Sequence, residues 1–204
     1  MALISPESIK RRVEAFEVDQ QKRFADLFTS QELNNFRSAA VMIPMLIHAG
    51  EWHLLLTHRS ENLVEHRGQV AFPGGAFESG DESLLYTALR EMNEEIGIRM
   101  EDVNILGHLG DMSIITGFLV RLFVGQIPWP YDLKISEYEV QSVFIVPLRW
   151  LNDPDHRKIQ YRSYAGREFP VIYFDNYEGH QLWGASAEMT LALLSALELK
   201  IDHP

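Results

Sequence analysis

Near the N-terminus of the 204-residue chain, apolar residues recur among polar ones with the spacing of an α-helix. Ser5-Pro6-Glu7 is a strong helix start, because serine is a favoured N-cap and proline suits the first helical position. The helical pattern continues to about Leu27, and a second short helix is predicted to begin near Thr29 or Ser30. Residues 1–37 are therefore interpreted as an N-terminal helical extension that precedes a domain of residues 38–204.

A β-hairpin is predicted next, from two apolar runs that flank a turn. Residues 39–47 have the continuous apolar character of a buried strand, Ala49-Gly50 is a turn sequence, and residues 52–57 are the partner strand. Residues 69–72 are predicted to form another short strand. Pro73-Gly74-Gly75 should end it, since proline followed by paired glycines marks a turn.

The rest of the pattern predicts two main helices and several further strands. The helices are residues 82 to 96 and an apolar-rich closing segment, residues 185–199. The predicted strands are residues 103–109, 118–126, 143–146, 158–164 and 169–174, the last two joined by the turn Ala165-Gly166. We expect an α/β (α+β) fold, in which a mixed β-sheet is covered by helices.

Composition narrows the class of protein. Hydrophobic residues make up 46% and charged residues 23% of the chain, as in soluble globular domains. The N-terminus lacks the apolar core of a secretory signal, and no segment approaches the roughly 18 apolar residues of a membrane span. We therefore expect a cytoplasmic protein without a membrane partner. The absence of cysteine excludes disulfides, thiolate metal sites and cysteine nucleophiles.

The net charge bears on possible ligands. The chain has 18 Lys and Arg against 29 Asp and Glu, a net charge of −11, which argues against a nucleic-acid partner. This excess also opposes a phosphate ligand, unless the carboxylates hold divalent cations, which would themselves bind the phosphate.

The helix predicted over residues 82–96 carries three of these carboxylates on one face. With helical spacing, Glu91, Glu94 and Glu95 lie within one turn and can converge on one point. The opposite face is apolar and should enter the core: Leu85, Leu89, Met92 and Ile96. A solvated acidic helix face is the ordinary explanation of such a run. The alternative is a site for a hard divalent cation, which prefers oxygen ligands.

The glycine pair before this helix favours the second interpretation. Gly74 and Gly75 can let backbone amides approach an anion closely, so that a phosphate and a metal can meet there. Taken alone, paired glycines usually mean only a tight turn. Their position just ahead of the glutamate helix makes the combination specific.

These residues resemble the Nudix box, in which a glycine and an acidic residue precede Arg-Glu-x-x-Glu-Glu-x-Gly. Residues 90–97 match that core in full. Six residues separate Gly75 from Glu82 and seven separate Glu82 from Arg90, one residue more than in the common box. If Asp81 is the acidic position, the extra residue falls after it. The same insertion is a feature of the coenzyme A diphosphatase branch, which this chain resembles.

A second motif supports that branch. Residues 55–60, Leu-Leu-Thr-His-Arg-Ser, and residues 68–75, Gly-Gln-Val-Ala-Phe-Pro-Gly-Gly, look like the signature that leads into the box. The signature has an arginine four residues after the position of Ser60, where this chain has Val64. That departure leaves other substrates open, namely ADP-ribose, NADH or a dinucleotide polyphosphate.

The resemblance implies roles for the helix residues. Glu94 and Glu95 are expected to be metal ligands for Mg²⁺ or Mn²⁺, and Glu91 a third ligand or the base that activates water. Divalent cations would neutralise the diphosphate and lower the pKa of the attacking water. Arg90 is expected to orient a glutamate through a charge-assisted hydrogen bond.

Further residues have both a functional and an ordinary interpretation. Glu139 is either a base or ligand supplied from a later loop, or a loop carboxylate in water. Arg59 and Arg67 either contact substrate phosphates or are surface charges. Asp81 or Glu82 either adds to the metal site or pairs with the helix dipole. Three aromatic residues in or beside predicted strands either stack on adenine or belong to the core: Phe118, Tyr173 and Trp183.

The resemblance thus implies a Nudix-type α/β/α sandwich that hydrolyses the diphosphate of coenzyme A or its derivatives. The products would be 3′,5′-ADP and 4′-phosphopantetheine. The alternatives are another nucleoside diphosphate derivative as substrate, or a non-catalytic nucleotide-binding module. Family analogy also suggests a homodimer.

Overall fold

The fold was analysed in a computed structural model that describes residues 3–16, 35–61, 68–164 and 166–199. The first helix, α1 (Pro6–Glu14), begins as predicted, with the Ser5 hydroxyl accepting a hydrogen bond from the Ser8 N–H at 3.2 Å. It ends much earlier than the prediction, since Ala15 and Phe16 are not helical. The Phe16 N–H bonds to Val13 O, which tightens the last turn and brings Phe16 against the core. The remainder of the predicted extension, including the helix near residue 30, lies outside the described residues.

Seven strands form the main sheet: β1 (Arg37–His48), β2 (Glu51–Arg59), β3 (Val70–Ala71), β4 (Gly74–Ala76), β5 (Asn104–Ile114), β6 (Phe118–Gln126) and β7 (Val140–Pro147). Their order is β3-β2-β1-β6-β5, with β4 paired to β1 and β7 paired to β2. The predicted hairpin is confirmed as β1 and β2, joined at Ala49-Gly50, where both residues have positive φ. Because β1 and β6 are parallel and the other pairs are antiparallel, the sheet is mixed, as predicted.

The glycine pair does not form the predicted turn. Gly74 and Gly75 belong to β4, which runs antiparallel to the first half of β1 and pairs with Val41 and Ala40. A Cβ on Gly74 would lie 2.5 Å from the Ala40 carbonyl oxygen, too close for any side chain. Glycine is needed here because the two backbones approach closely, and neither glycine has a positive φ.

A second sheet and three more helices complete the described chain. The helices are α2 (Leu84–Ile96), α3 (Leu148–Asn152) and α4 (Gly184–Ala196), with 3₁₀ turns at Met100–Asp102 and Pro154–His156. The second sheet is antiparallel, in the order β10 (His180–Trp183), β9 (Arg167–Tyr177) and β8 (Arg157–Tyr164). The predicted hairpin of residues 158–174 is confirmed, whereas β10 and α3 were not predicted because each is too short for a periodic signal.

Helices cover both faces of the main sheet, which confirms the predicted α/β class. One face packs against α2 through a core that includes Ala88, Met92 and Ile96, all fully buried. The opposite face packs against α1, α4 and the second sheet, and Ile9 and Val13 of α1 are fully buried there. In the described part of the chain, no helix is long and apolar enough to cross a membrane.

Candidate active site

The acidic residues are positioned by the two ends of α2. Ser83 caps its N-terminus by accepting a hydrogen bond from the Tyr86 N–H at 3.1 Å. Gly97 ends the helix in the left-handed conformation, at φ 75°, which glycine adopts without strain. The apolar stripe on Met92 and Ile96 then fixes the rotation of α2 on the sheet. Its acidic residues consequently lie beside β4 and the end of β2.

Arg90 is the centre of an ion-pair network. Its Nε and Nη2 donate to the two oxygens of Asp81 at 2.9 and 3.1 Å. Its Nη1 contacts Glu91 Oε1 at 3.0 Å and Glu94 Oε2 at 2.9 Å. Since the Arg90 side chain is only 14% exposed, its guanidinium orders all three carboxylates at once.

Asp81 holds Arg90 in place. Besides the arginine, Asp81 Oδ2 accepts hydrogen bonds from the Thr87 hydroxyl at 2.8 Å and from the Glu78 N–H at 3.0 Å. The hydrogen bonds from Arg90 hold the pKa of Asp81 well below its usual range. Asp81 therefore serves as an anchor for the arginine, while Glu82 beside it is exposed to solvent.

Glu95 is almost completely buried, with its side chain 3% exposed. Arg59, at the end of β2, places Nη1 3.6 Å from Glu95 Oε1, beyond hydrogen-bond distance. Among the described residues, Glu95 Oε2 and Arg59 Nε have no hydrogen-bond partner. Burial raises the pKa of Glu95 to about 8, although the positive charge of Arg59 opposes this shift.

Two further carboxylates are electrostatically coupled to Glu95. Glu91 is 15% exposed, and burial raises its pKa against the lowering effect of Arg90. The negative charge of Glu139 raises the pKa of both Glu91 and Glu95, so Glu139 lies near them. Its loop is tied to the end of β2, because Glu139 O accepts a hydrogen bond from the Ser60 N–H at 2.9 Å.

Gly75 lies directly against Glu91. A Cβ at this position would lie 2.3 Å from Glu91 Oε1, so a larger residue would displace the carboxylate from its present place. The backbone of Gly74 donates a hydrogen bond to Glu95, which favours the charged form of that side chain. The glycine strand and the glutamate helix therefore form one structural unit.

The three glutamates do not surround a common point in this arrangement. Glu94 is 53% exposed and turned towards Arg90, whereas Glu95 is buried. Within the described ranges, no three Asp, Glu or His side chains are grouped closely enough to hold a metal ion. The chemistry of the donor set nevertheless fits a hard cation. Glu91, Glu95 and Glu139 are mutually repulsive, and a buried carboxylate oxygen of Glu95 lacks a partner.

A cavity of about 640 Å³ opens beside this unit. Gly74, Gly75 and Arg59 form its wall next to the glutamates. The cavity extends between the main sheet, the second sheet and the start of α4. Arg67, predicted to contact substrate, lies outside the described residues.

The three aromatic residues singled out in the sequence all line this cavity: Phe118, Tyr173 and Trp183. The guanidinium of Arg37 lies 4.9 Å from the centre of the Phe118 ring. Two further charged residues in the lining were not predicted, Arg162 on β8 and the buried Glu188 on α4. No local motif marks either residue, because they reach the cavity only when the second sheet and α4 pack against the main sheet.

Comparison with known proteins agrees with the sequence motif and the fold. The NUDIX domain model matches residues 36–189. The Nudix hydrolase NudL of Citrobacter koseri is 39% identical over 176 residues, covering 83% of this chain and 85% of its own. NudL of Escherichia coli strain SMS-3-5 is 35% identical over 178 residues, covering 84% and 86%.

A solved structure shows the same fold. The MutT/nudix family protein from Enterococcus faecalis superposes with a TM-score of 0.55 and 16% identity, covering 98% of this chain and 77% of its own. The domain match spans most of the chain, and both curated relatives exceed one third identity over most of their length. The chain therefore belongs to the Nudix family.

Proposed function

We propose that this protein is a metal-dependent hydrolase that splits the diphosphate bond of coenzyme A or its derivatives. The products are 3′,5′-ADP and 4′-phosphopantetheine. The observation that carries the proposal is the group of buried and coupled carboxylates at Glu91 and Glu95, next to the glycine strand that lines the cavity. A diphosphate in the cavity would lie beside these carboxylates.

The choice of substrate rests on the signature of residues 55–60 and 68–75. Its arginine, Arg59, lies at the junction between the cavity and Glu95. Since Arg59 Nε has no hydrogen-bond partner in the described residues, this buried donor can turn to a phosphate oxygen. Gly74 and Gly75 belong to the same signature and occupy the same wall.

Nudix hydrolases generally use divalent ions such as Mg²⁺ or Mn²⁺. In this chain Glu91, Glu94 and Glu95 would hold the metal, with Glu94 turning away from Arg90 to do so. The metal would neutralise the diphosphate and lower the pKa of the attacking water. The water oxygen attacks one phosphorus, and the bond from that phosphorus to the bridging oxygen breaks. A carboxylate oxygen of Glu91 or Glu139 takes the proton from the water.

Arg90 acts in this scheme as a positioning residue. It holds Glu91 and Glu94 at 3.0 and 2.9 Å while its other nitrogens are fixed on Asp81. Two carboxylates on one helix repel each other, and the shared guanidinium lowers that cost before any cation binds. Loss of the arginine should therefore disturb both side chains.

A panel of substrates tests the proposal. We expect coenzyme A with Mg²⁺ to yield the two named fragments, which mass spectrometry identifies by their masses. Much faster cleavage of ADP-ribose, NADH or a dinucleotide polyphosphate would assign the enzyme to another substrate, an outcome that Val64 in the signature leaves open. Absence of turnover on the whole panel, with nucleotide binding retained, would indicate a non-catalytic module.

Variants of α2 test the site itself. We expect Glu94→Gln and Glu95→Gln to abolish turnover with an unchanged circular dichroism spectrum, because each removes a carboxylate charge from the proposed metal site. Glu82→Gln is the matched control, since Glu82 is exposed and lies just before the same helix. Undiminished turnover in either of the first two variants would remove that residue from the proposed site.

A further inference from the structure

We propose that Arg162, Tyr173 and Trp183 form a subsite for a purine base together with a phosphate monoester, as found in a 3′-phosphorylated adenosine. The inference rests on the proposed function, because it assigns one half of the proposed substrate to one end of the cavity. It goes beyond that function by making the second sheet a determinant of substrate choice.

The three residues lie in the cavity beside the glycine strand. All three line the same cavity as Gly74, Gly75 and Arg59. A ligand whose diphosphate lies at the glycine strand can therefore extend towards the second sheet without leaving the cavity. Most of the exposed lining of this cavity is apolar, so the few charged groups in it decide orientation.

Arg162 has nitrogen atoms available to bind an anion. Its Nε donates a hydrogen bond to the Tyr173 hydroxyl at 3.1 Å, and its guanidinium carbon lies 5.6 Å from the centre of the Tyr173 ring. Among the residues that the structure describes, no carboxylate forms an ion pair with Arg162. Its Nε thus holds the exposed side chain against Tyr173, while the two Nη groups remain for an anion. A guanidinium held in this way suits bidentate binding of a phosphate.

Tyr173 and Trp183 form a stacked aromatic pair. The rings of Tyr173 and Trp183 are parallel within 2°, with centroids 5.5 Å apart. Tyr173 is buried, and Trp183 is partly exposed in the cavity lining. Tyr173 holds Trp183 in one orientation, so a base can stack on a preformed surface. Stacking of a base on an aromatic side chain contributes about 1–3 kcal/mol.

The remaining charge in the lining does not oppose this arrangement. Glu188 is buried on α4 and already has an interaction partner. Ala185 and Ser186 in the first turn of α4 also line the cavity, and Trp183 provides no side-chain cap for that helix. The positive end of the helix dipole adds to the attraction that Arg162 exerts on an anion.

Binding of products to the metal-free protein tests the subsite without any turnover. Isothermal titration calorimetry in EDTA would compare adenosine 3′,5′-bisphosphate with 5′-AMP. We expect the wild-type protein to bind the bisphosphate about tenfold more tightly, the effect of one charge-assisted phosphate contact. Arg162→Met should remove that difference and leave the affinity for 5′-AMP unchanged.

Lys158→Met is the matched control, because Lys158 is an exposed cation on the same face of β8 and does not line the cavity. The same loss of charge there should leave both affinities unchanged. Trp183→Phe should weaken both nucleotides equally, since stacking does not depend on the 3′-phosphate. Equal binding of the two nucleotides by the wild type, or tenfold discrimination retained in Arg162→Met, would overturn the inference.

The outcome is separable from the test of the proposed function. If coenzyme A is not hydrolysed but discrimination depends on Arg162, the subsite stands and the proposed reaction fails. If coenzyme A is hydrolysed and Arg162→Met changes neither nucleotide affinity nor KM, the subsite fails and the reaction stands. In the expected case, Arg162→Met raises KM about tenfold for coenzyme A, leaves KM for dephospho-coenzyme A unchanged, and leaves kcat unchanged for both.

Discussion

Replacing Glu95 with glutamine should raise the free energy of unfolding of the metal-free protein at neutral pH and leave it nearly unchanged near pH 4. The folded protein raises the pKa of Glu95 from 4.5 to about 8 because the carboxyl is buried. Glutamine keeps the shape of the side chain and never ionises. The difference between the two proteins therefore reports the titration of Glu95 together with its coupling to Glu91 and Glu139.

The sign and size follow from proton linkage. Below pH 4.5, Glu95 is protonated in both states and contributes no pH dependence. Between pH 4.5 and 8 the unfolded chain ionises while the folded chain keeps its proton, so stability falls by about 1.4 kcal/mol per pH unit. At pH 7 the wild type would have lost about 3 kcal/mol, an upper limit because water and side chains can relax around the charge.

Urea unfolding in EDTA, followed by tryptophan fluorescence from pH 4 to 8.5, measures this difference. The advantage of Glu95→Gln should grow steadily with pH and level off above about pH 8. Glu82→Gln, which alters an exposed carboxylate, should track the wild type across the range. A difference between Glu95→Gln and wild type that stays constant from pH 4 to 8 would refute the assignment of a raised pKa.

Magnesium extends the same experiment. If Glu95 is a metal ligand, millimolar Mg²⁺ should stabilise the wild type, because a ligand that binds only the folded state shifts the unfolding equilibrium. The stabilisation should be smaller at pH 6 than at pH 8.5, since the cation must displace the proton from Glu95. Glu95→Gln should show little stabilisation at either pH.

Two other substitutions probe the geometry around α2. Gly75→Ala should lower kcat at least tenfold, because its Cβ would lie 2.3 Å from Glu91 Oε1 and displace the carboxylate. Gly80→Ala, which has open space around the new Cβ, should leave kcat unchanged. Equal rates for both variants would show that the contact between residue 75 and Glu91 is unimportant. Asp81→Asn should lower both the urea midpoint and kcat, by about tenfold for kcat, because Arg90 loses a charged anchor. Asp81 stabilises the folded wild-type protein only in its ionised form, so this stabilisation should fade as the pH drops below about 4. A wild-type urea midpoint that stays constant down to pH 2 would contradict the lowered pKa of Asp81.

Elements with strong local patterns were predictable from the sequence. The apolar stripe of α2, its glycine stop at Gly97 and the turn at Ala49-Gly50 all depend on residues near one another in the chain. The start of α1 at Ser5 and Pro6 was correct for the same reason. Its end was not, because the last turn is closed by Phe16 packing on a core built from distant residues.

In the candidate site, too, some features follow from local sequence and others depend on the packing of distant segments. The sequence indicated that Glu91, Glu94 and Glu95 share one face of a helix. It could not indicate that Glu95 is buried while Glu94 is exposed, because this depends on how β2 and β4 pack over the helix. Nor could it distinguish a turn at Gly74 from a strand, since β4 exists only through pairing with β1, more than thirty residues earlier.

The sequence by itself determined the family, the acidic helix and the class of chemistry that such a helix suits, because these are encoded in short, contiguous motifs. Only the tertiary structure decided which carboxylates are desolvated and which cation faces each of them. It alone brought Arg162, Tyr173 and Trp183 to the cavity that begins at Gly75. Burial and electrostatic coupling arise from contacts between distant segments, and no local pattern of residues specifies those contacts.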